Sequence, residues 1–209
     1  MQNQKPKLSY WFITAGTIWL VLALAHLYYT KTEVFFYLHG EENTPFDYIM
    51  YLGTHLGDGW VVLPVFVFLF FKESLSKALA FGLAFGFSGL ITQVLKRTVF
   101  KEIQRPSSYL GEDLIRTVDW VDLHSMHSFP SGHTTAAFAL CLSLAFIYRN
   151  KYAQIGFALL AWFIGYTRVY IGQHFPVDLL GGAVVGILIT VLIFTWERKW
   201  PEKLKYRPL

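Results

Sequence analysis

Two short stretches combine residue types and spacings that could perform chemistry on an anion. The first covers residues 128–133, Ser-Phe-Pro-Ser-Gly-His, between a polar loop and the apolar run 134–147. Pro130 and Ser131 favour a helix start, because proline has a fixed φ suited to a first helical position and serine is a preferred N-cap. The free N–H groups and positive dipole end of such a helix attract anions. The stretch therefore predicts an anion site with His133 in its first turn.

The second stretch covers residues 167–178, Thr-Arg-Val-Tyr-Ile-Gly-Gln-His-Phe-Pro-Val-Asp. Pro176 favours another helix start, which places His174 just before the helix and Asp178 four residues further on. A carboxylate at this spacing can accept a hydrogen bond from one imidazole nitrogen, which fixes the tautomer and leaves the other nitrogen available as a nucleophile. Arg168 adds a forked donor that suits phosphate oxygens. The stretch therefore predicts a phosphate site with a reactive histidine.

The composition predicts that both stretches belong to an integral membrane protein. Hydrophobic residues make up 54% of the 209 residues and charged residues 15%, whereas a soluble domain has about 45–50% and 25%. The excess gathers in runs of roughly the length that crosses a bilayer core of about 30 Å. Such runs form helices because backbone polar groups in lipid must be satisfied internally. The single cysteine, Cys141, excludes a disulfide or a cysteine-based metal site within the chain.

Six apolar segments predict an all-α fold, a six-transmembrane-helix bundle, in a single domain that covers residues 1–209. The segments are approximately 10–27, 60–71, 78–95, 132–148, 153–166 and 179–196. The second could begin earlier, near Leu56. The first could instead be a signal peptide, because Lys5 and Lys7 precede it and Ala-Leu-Ala at 23–25 resembles a cleavage site.

The distribution of charge predicts the orientation of the bundle. With the N-terminus inside, the cytoplasmic regions are the two termini and the loops 72–77 and 149–151. These regions contain eleven of the 18 Lys and Arg residues but three of the 14 Asp and Glu residues. Short cytoplasmic loops are enriched in Lys and Arg, so both termini are predicted to be cytoplasmic. The formal charge of +4 is then a topology signal and does not indicate a nucleic-acid partner.

The candidate chemical residues fall on the opposite, extracytoplasmic side, in the loops 98–129 and 169–177 and at the adjoining helix ends. A basic cluster follows the third segment and consists of Lys96, Arg97, Lys101 and Arg105. Ionisable groups at a membrane boundary are costly and usually functional. The remaining outer loop, 28–59, contains apolar patches that predict one or two interfacial helices on the outer leaflet.

The motifs in combination resemble the type 2 phosphatidic acid phosphatase superfamily. The resemblance rests on Arg105-Pro106, Pro130-Ser131-Gly132-His133 and Arg168-x5-His174-x3-Asp178. The family's first motif usually has Lys, six residues and then Arg-Pro, but Thr98 stands at that lysine position here. Lys96, two residues earlier, is the expected replacement, with Arg97 and Lys101 as competitors.

The resemblance implies a mechanism in which His174 attacks phosphorus and forms a phosphohistidine. Asp178 would orient His174, and His133 would protonate the leaving lipid oxygen and then activate water. The residues expected to hold the phosphate are Lys96, Arg105, Ser131, Gly132 and Arg168. With these cations in place, the resemblance implies no metal and no other cofactor.

The resemblance also implies a lipid phosphate substrate but leaves its identity open among isoprenyl diphosphate, phosphatidylglycerol phosphate, phosphatidate and lipid A. The short loops favour a protein of a bacterial inner membrane. Lipid-to-lipid phosphotransfer and non-catalytic lipid transport are alternatives, and no feature of the sequence indicates an oligomeric state. His124 and His127 lack a third metal ligand of matching spacing and are interpreted as polar loop residues. His55 and Asp58 are candidates for the entrance of the site.

Overall fold

The computed structural model describes residues 8–41, 44–118 and 120–205, and within these ranges the regular structure is helical, without a strand. This confirms the all-α prediction for the described part of the chain. Lys5, Lys7 and Arg207, which contribute to the signal-peptide and topology arguments, lie outside the described residues.

Nine α-helices follow one another along the described residues. They are α1 (Ser9–Tyr28), α2 (Lys31–Leu38), α3 (Thr44–Thr54), α4 (Val62–Lys72), α5 (Leu75–Thr98), α6 (Pro106–Leu110), α7 (Gly132–Ile147), α8 (Lys151–Tyr170) and α9 (Pro176–Glu197). Two 3₁₀ turns, His55–Gly57 and Gly59–Val61, connect α3 to α4. The six predicted segments correspond to α1, α4, α5, α7, α8 and α9, and the first outer loop contains α2 and α3.

Local signals start the helices that hold the chemical residues. The Ser131 side chain caps α7 by accepting a hydrogen bond from the backbone N–H of Thr134, at 3.3 Å, and Pro176 is the first residue of α9. Both predicted helix starts are therefore confirmed. The expected place of Pro130 in a first helical position is wrong, because Pro130 lies before the Ser131 cap and is joined to Phe129 by a cis peptide bond.

Helix α7 is the central helix of the bundle. It is 16 residues long and almost entirely buried, and it packs against α5, α8 and α9. Two glycines of α9 allow the closest of these contacts. A Cβ atom on Gly182 would lie 2.6 Å from the Ser131 carbonyl oxygen, and one on Gly186 would lie 2.7 Å from that of Thr135. Small residues permit this approach of backbones in membrane helix bundles.

The apolar helices support a membrane protein, but they do not all have the length of a span. Helices α1, α5 and α9 are long and apolar enough to cross a bilayer. Helix α4, with 11 residues, is about 16 Å long, about half the thickness of a bilayer core. It reaches a spanning length only together with α3, to which it is joined at a bend of 59°. The count of six spans and the interfacial position of α2 and α3 stay predictions.

Three connections meet at one end of the bundle, namely the turn between α3 and α4, the loop from α5 to α7, and the loop from α8 to α9. The long α5–α7 loop folds back on itself, because the N–H of Arg105 donates to Ser125 O at 2.8 Å and that of Ser128 donates to Ile103 O at 2.9 Å. This pairing brings Arg105 beside the start of α7.

Candidate active site

His174 lies in the short loop between α8 and α9 and is 1% exposed. The loop turns back on α8, because the backbone N–H groups of Gln173 and His174 both donate to the Arg168 carbonyl oxygen, at 2.8 and 3.2 Å. Gly172 permits this turn with a φ of +72°, in the left-handed region that glycine tolerates. The loop therefore holds the imidazole at a fixed place between Arg168 and the start of α9.

A single carboxylate oxygen holds the His174 ring. Asp178 Oδ2 lies 3.1 Å from His174 Nδ1, and it also accepts hydrogen bonds from Ser128 Oγ at 2.5 Å and from the Phe175 backbone N–H at 2.9 Å. A carboxylate on Nδ1 favours the tautomer with the proton on that nitrogen. Nε2 then has its lone pair available, and no hydrogen bond to it is found among the described residues.

The surroundings of His174 keep its ring neutral. Burial lowers the pKa of His174 well below its ordinary value, and the nearby charges of Arg105, Lys96 and Arg168 lower the pKa further. Burial and like charges both disfavour the imidazolium form. At neutral pH the ring is therefore unprotonated on Nε2, which is the state that a nucleophile requires.

Three buried cationic side chains surround the histidine, each held by neighbouring oxygen atoms. Arg105 Nη1 donates to both Gln173 O and Gln173 Oε1, at 3.2 and 3.0 Å. Lys96 Nζ donates to His127 O at 2.8 Å, and Arg168 Nη1 donates to Thr54 Oγ1 at 2.8 Å. These bonds fix the three side chains through partners that are 31 or more residues away along the chain.

The positive charge of this cluster exceeds the negative charge of the acidic groups that the structure places beside it. The three cations are buried, and the buried carboxylate beside them, Asp178, already accepts three hydrogen bonds through one oxygen. Arg168 Nε is buried without a hydrogen-bond partner. Burial lowers the pKa of Arg105, yet a guanidinium remains charged in proteins. Buried charges are normally paired, so the cluster is suited to a multiply charged anion.

The structure distinguishes the candidates for the first-motif lysine. Lys96 is buried in the last turn of α5, whereas Arg97 is exposed and Lys101 is exposed beside Glu102, with Nζ 3.5 Å from Oε1. The Thr98 hydroxyl donates to Val94 O of its own helix at 2.7 Å. Of the four residues, Lys96 is the one that the structure brings to the cluster.

The start of α7 provides both a rigid cap and open space. Ser131 is fully buried, its N–H donates to Asp178 O at 3.0 Å, and its hydroxyl accepts a hydrogen bond from Thr134 Oγ1 at 2.9 Å. Gly132 has nothing within 4 Å of the place where a Cβ would stand. An anion can therefore approach the Gly132 backbone closely. The Ser131 hydroxyl already serves as the helix cap, so its expected contact with phosphate stays a prediction.

His133 has a partner that the motifs do not contain. Its Nε2 lies 2.8 Å from Asp58 Oδ1, and the other oxygen of Asp58 lies 2.7 Å from His55 Nδ1. The sequence offered His55 and Asp58 as candidates for the site entrance, and the structure places Asp58 in direct contact with His133.

A cavity of about 610 Å³ adjoins the cluster on the side of the α5–α7 loop. Its lining includes Lys96, Arg97, Arg105, His124 and His127, and no carboxylate. Burial and the charges of Arg105 and Arg168 lower the pKa of His124. No group of three or more potential metal ligands is found among His, Cys, Asp and Glu in the part of the chain that the structure describes. The cavity thus presents cations and histidines to an incoming anion.

Several residues that complete the site were not predicted. Ser128 holds Asp178, Gln173 holds Arg105 and Thr54 holds Arg168. Ser128 belongs to the first stretch and Gln173 directly precedes His174, so their positions next to the motifs were the available signal. Thr54 has no sequence signal, because it is 114 residues away from its partner.

The site and fold together identify the class of protein. Residues 77–202 match the sequence model of the PAP2 superfamily, which is more than half of the chain. The chain therefore belongs to the PAP2 superfamily, the family that its motifs resemble.

Three named proteins illustrate what this chain is similar to within the family. The chain is 32% identical over 171 residues to the undecaprenyl-diphosphatase BcrC of Bacillus subtilis, covering 79% of this chain and 83% of that protein. It is 29% identical over 170 residues to the lipid A 4′-phosphatase of Porphyromonas gingivalis, covering 78% and 71%. The crystal structure of a PAP2-type phosphatidylglycerolphosphate phosphatase from Bacillus subtilis superposes on this structure with a TM-score of 0.65 at 26% identity. The match covers 92% of this chain and 98% of that chain.

Proposed function

We propose that this protein is an integral membrane lipid phosphatase that cleaves a phosphomonoester or diphosphate of a lipid through a phosphohistidine. One observation carries the proposal. His174 is buried, is held at Nδ1 by Asp178, and lies among three buried cations that have excess positive charge. Such a site combines an oriented nucleophile with electrostatic stabilisation of a transferring phosphoryl group.

In the first step, His174 Nε2 attacks phosphorus while the bond from phosphorus to the lipid oxygen breaks. Asp178 accepts the hydrogen bond from Nδ1–H and stabilises the positive charge that develops on the ring. His133 gives a proton to the departing lipid oxygen. Lys96, Arg105, Arg168 and the start of α7 neutralise the charge on the equatorial phosphate oxygens, which is the main contribution to catalysis in phosphoryl transfer.

In the second step, water attacks the phosphorus of the phosphohistidine and the P–N bond breaks. His133, now neutral, accepts a proton from this water, and inorganic phosphate is released. His133 gives one proton in the first step and regains one from water in the second, so it ends the cycle in its starting state. General acid–base assistance of this type contributes about 10²–10⁴-fold to the rate.

The substrate belongs to the lipid phosphates, and the three relatives define a panel. Their names indicate undecaprenyl diphosphate, lipid A and phosphatidylglycerol phosphate, and phosphatidate is the simplest further phosphomonoester. For the whole molecule we propose a single domain with six spans, of which α4 is a short one, with α2 and α3 at the outer interface, both termini cytoplasmic and the site extracytoplasmic. The expected place is the inner membrane of a bacterium.

The test is phosphate release by the purified full-length protein from these four lipid classes, with His174→Ala as the control. We expect release from at least one class, a loss of at least about 10³-fold in His174→Ala, and retention of activity in excess chelator. A labelled donor separates hydrolysis, which yields free phosphate, from transfer to a second lipid. Undiminished turnover in His174→Ala, or lipid movement across vesicles without phosphate release, would contradict the proposal.

A further inference from the structure

The turn between α3 and α4 contributes to the site through a carboxylate outside the family motifs. We propose that Asp58 is a positioning residue for His133, which holds Nε2 of the ring so that Nδ1 faces the leaving oxygen. This inference rests on the proposed function, since it assigns a partner to the acid–base histidine of the same reaction.

The contacts of Asp58 define its role. Oδ1 lies 2.8 Å from His133 Nε2, and Oδ2 lies 2.7 Å from His55 Nδ1. His55 is itself braced by an edge contact with the Tyr51 ring, at 4.9 Å between centroids. With both oxygens engaged, the carboxylate has a fixed orientation. No hydrogen bond to Nδ1 of His133 is found among the described residues, so this nitrogen is available to a substrate.

The backbone of the turn is shaped for close approach to His133. A Cβ atom on Gly57 would lie 3.2 Å from both the Cβ and the carbonyl oxygen of His133, and 3.1 Å from Ile164 Cγ2. A side chain at this position would therefore require its neighbours on α7 and α8 to shift by a few tenths of an ångström. The turn is also closed internally, because Asp58 N–H donates to His55 O at 3.1 Å. The glycine thus allows the next residue, Asp58, to reach the imidazole.

The same turn contacts a second member of the site. Thr54, four residues before Asp58, accepts a hydrogen bond from Arg168 at 2.8 Å. The segment 54–58 therefore contacts both the phosphate-binding arginine and the acid–base histidine. The bend of 59° between α3 and α4 occurs at this segment, which lets the chain cross over the start of α7 before it enters α4.

The two histidines of the site are arranged in the same way. Asp178 holds Nδ1 of His174 and leaves Nε2 free, whereas Asp58 holds Nε2 of His133 and leaves Nδ1 free. Each carboxylate fixes a tautomer and stabilises the imidazolium that forms during the reaction. For His133 this is the acid form that protonates the leaving oxygen, and the negative charge of Asp58 stabilises that form.

The charges that face His133 determine the direction of the pH effect. Asp58 and His55 lie on the turn, Arg168 on α8, Arg105 in the α5–α7 loop and His174 before α9. Asp58 is the anionic group among these contacts, so its removal favours the neutral ring. The alkaline limb of kcat/KM, where the acid form of His133 is lost, is expected to move to lower pH in Asp58→Asn.

The experiment compares Asp58→Asn, Asp58→Glu, His133→Ala and the double variant Asp58→Asn/His133→Ala, with Asp113→Asn as a control at an exposed carboxylate of the outer loop. Dioctanoyl phosphatidate needs its leaving alkoxide to be protonated, whereas p-nitrophenyl phosphate has a leaving group that needs little acid assistance. We expect Asp58→Asn to reduce kcat/KM for dioctanoyl phosphatidate, which reports the step that expels the leaving group, on the order of 10²-fold through kcat with KM nearly unchanged. The loss of kcat/KM for p-nitrophenyl phosphate should be at least about tenfold smaller.

Further comparisons separate positioning from a general structural defect. Asp58→Glu should recover part of the rate, and the double variant should be no slower than His133→Ala, because the two residues act as one unit. Equal losses on both probes, additive losses in the double variant, or wild-type kinetics and pH limb in Asp58→Asn would overturn the inference. If Asp58→Asn is unimpaired while His174→Ala is inactive, the role of Asp58 fails and the phosphatase proposal stands; if His174→Ala is active, the phosphatase proposal itself fails.

Discussion

At the scale of single residues, the site depends on the difference between the environments of its two histidines. His174 is 1% exposed and lies among cations, with one carboxylate oxygen on Nδ1. His133 is partly exposed and shares Asp58 with His55. These different contacts suit the different roles that we propose for the two histidines, nucleophile for His174 and acid–base catalyst for His133.

The pH dependence of kcat/KM follows from the environment of His174. Burial and neighbouring cations lower the pKa of His174 well below the ordinary value of about 6.5. The neutral nucleophile is therefore present at all pH values above that lowered pKa. It is lost only as the pH falls through that value. The ionisation of a substrate phosphate lies near pH 6. We therefore expect the acid-side inflection of the kcat/KM profile to report the ionisation of the substrate phosphate. Its pH should change when dioctanoyl phosphatidate is replaced by p-nitrophenyl phosphate. An inflection that stays near 6.5 with both substrates would contradict the assignment.

At the scale of elements, the site is held by close contacts between helices and by the loops that cross their ends. Helix α9 lies against the first turn of α7 at Gly182, and Asp178 at its start accepts the Ser131 N–H. The first outer loop supports the same end of the bundle. His39 Nδ1 lies 3.0 Å from Val169 O at the end of α8, and its Nε2 lies 3.1 Å from Arg116 O in the α5–α7 loop.

The α7–α9 contact makes Gly182→Ala a sensitive substitution. The added Cβ would meet the Ser131 carbonyl oxygen at 2.6 Å and Thr134 Cβ at 3.0 Å, and neither is the end of a flexible side chain. We expect a destabilisation of about 1–3 kcal/mol from overpacking, together with reduced phosphate release because Ser131 and Asp178 are displaced. Thermal unfolding in detergent and the phosphate-release assay measure both effects.

Gly89→Ala is the matched control, because Gly89 lies in α5 with nothing within 4 Å of an added Cβ. Alanine is favoured over glycine in a helix by up to about 1 kcal/mol, so this variant should be as stable as the wild type and fully active. Equal stability and activity of the two variants would show that the α7–α9 distance does not constrain the site.

At the scale of the whole molecule, the chemistry lies at one end of the bundle. The turn before α4, the end of α5, the starts of α7 and α9 and the end of α8 meet there. This arrangement is the one expected if the chain crosses the membrane alternately, and a cytoplasmic N-terminus would place this end of the bundle outside. A lipid phosphate could then remain in the outer leaflet while its headgroup enters the basic cavity.

The orientation can be tested with single-cysteine variants on a Cys141→Ala background, since Cys141 is the sole cysteine and is buried. Glu112→Cys is in the loop expected outside, and Lys199→Cys is in the tail expected inside; both positions are exposed. In spheroplasts of an expressing bacterium, a membrane-impermeant maleimide should label Glu112→Cys directly and Lys199→Cys only after lysis. The reverse pattern would place the site in the cytoplasm.

The sequence by itself determined the membrane character, the helix starts and the identities of the motif residues. These depend on local physics: the length of an apolar run, the cap at Ser131, the fixed φ of Pro176, and the four-residue spacing between His174 and Asp178. The helix bounds agree with the predicted segments to within a few residues for the long helices. The second segment was less predictable, because α4 is short and the bend before it is set by contacts with α7 and α8.

Only the tertiary structure decided which neighbours complete the site. Lys96 is distinguished from Arg97 by its burial at the end of α5. Ser128, Gln173 and Asp58 meet their partners across separations of 50, 68 and 75 residues. Hydrogen bonds between such distant positions follow from helix packing and from where each loop crosses the bundle, and the periodicity of a single segment contains no information about either.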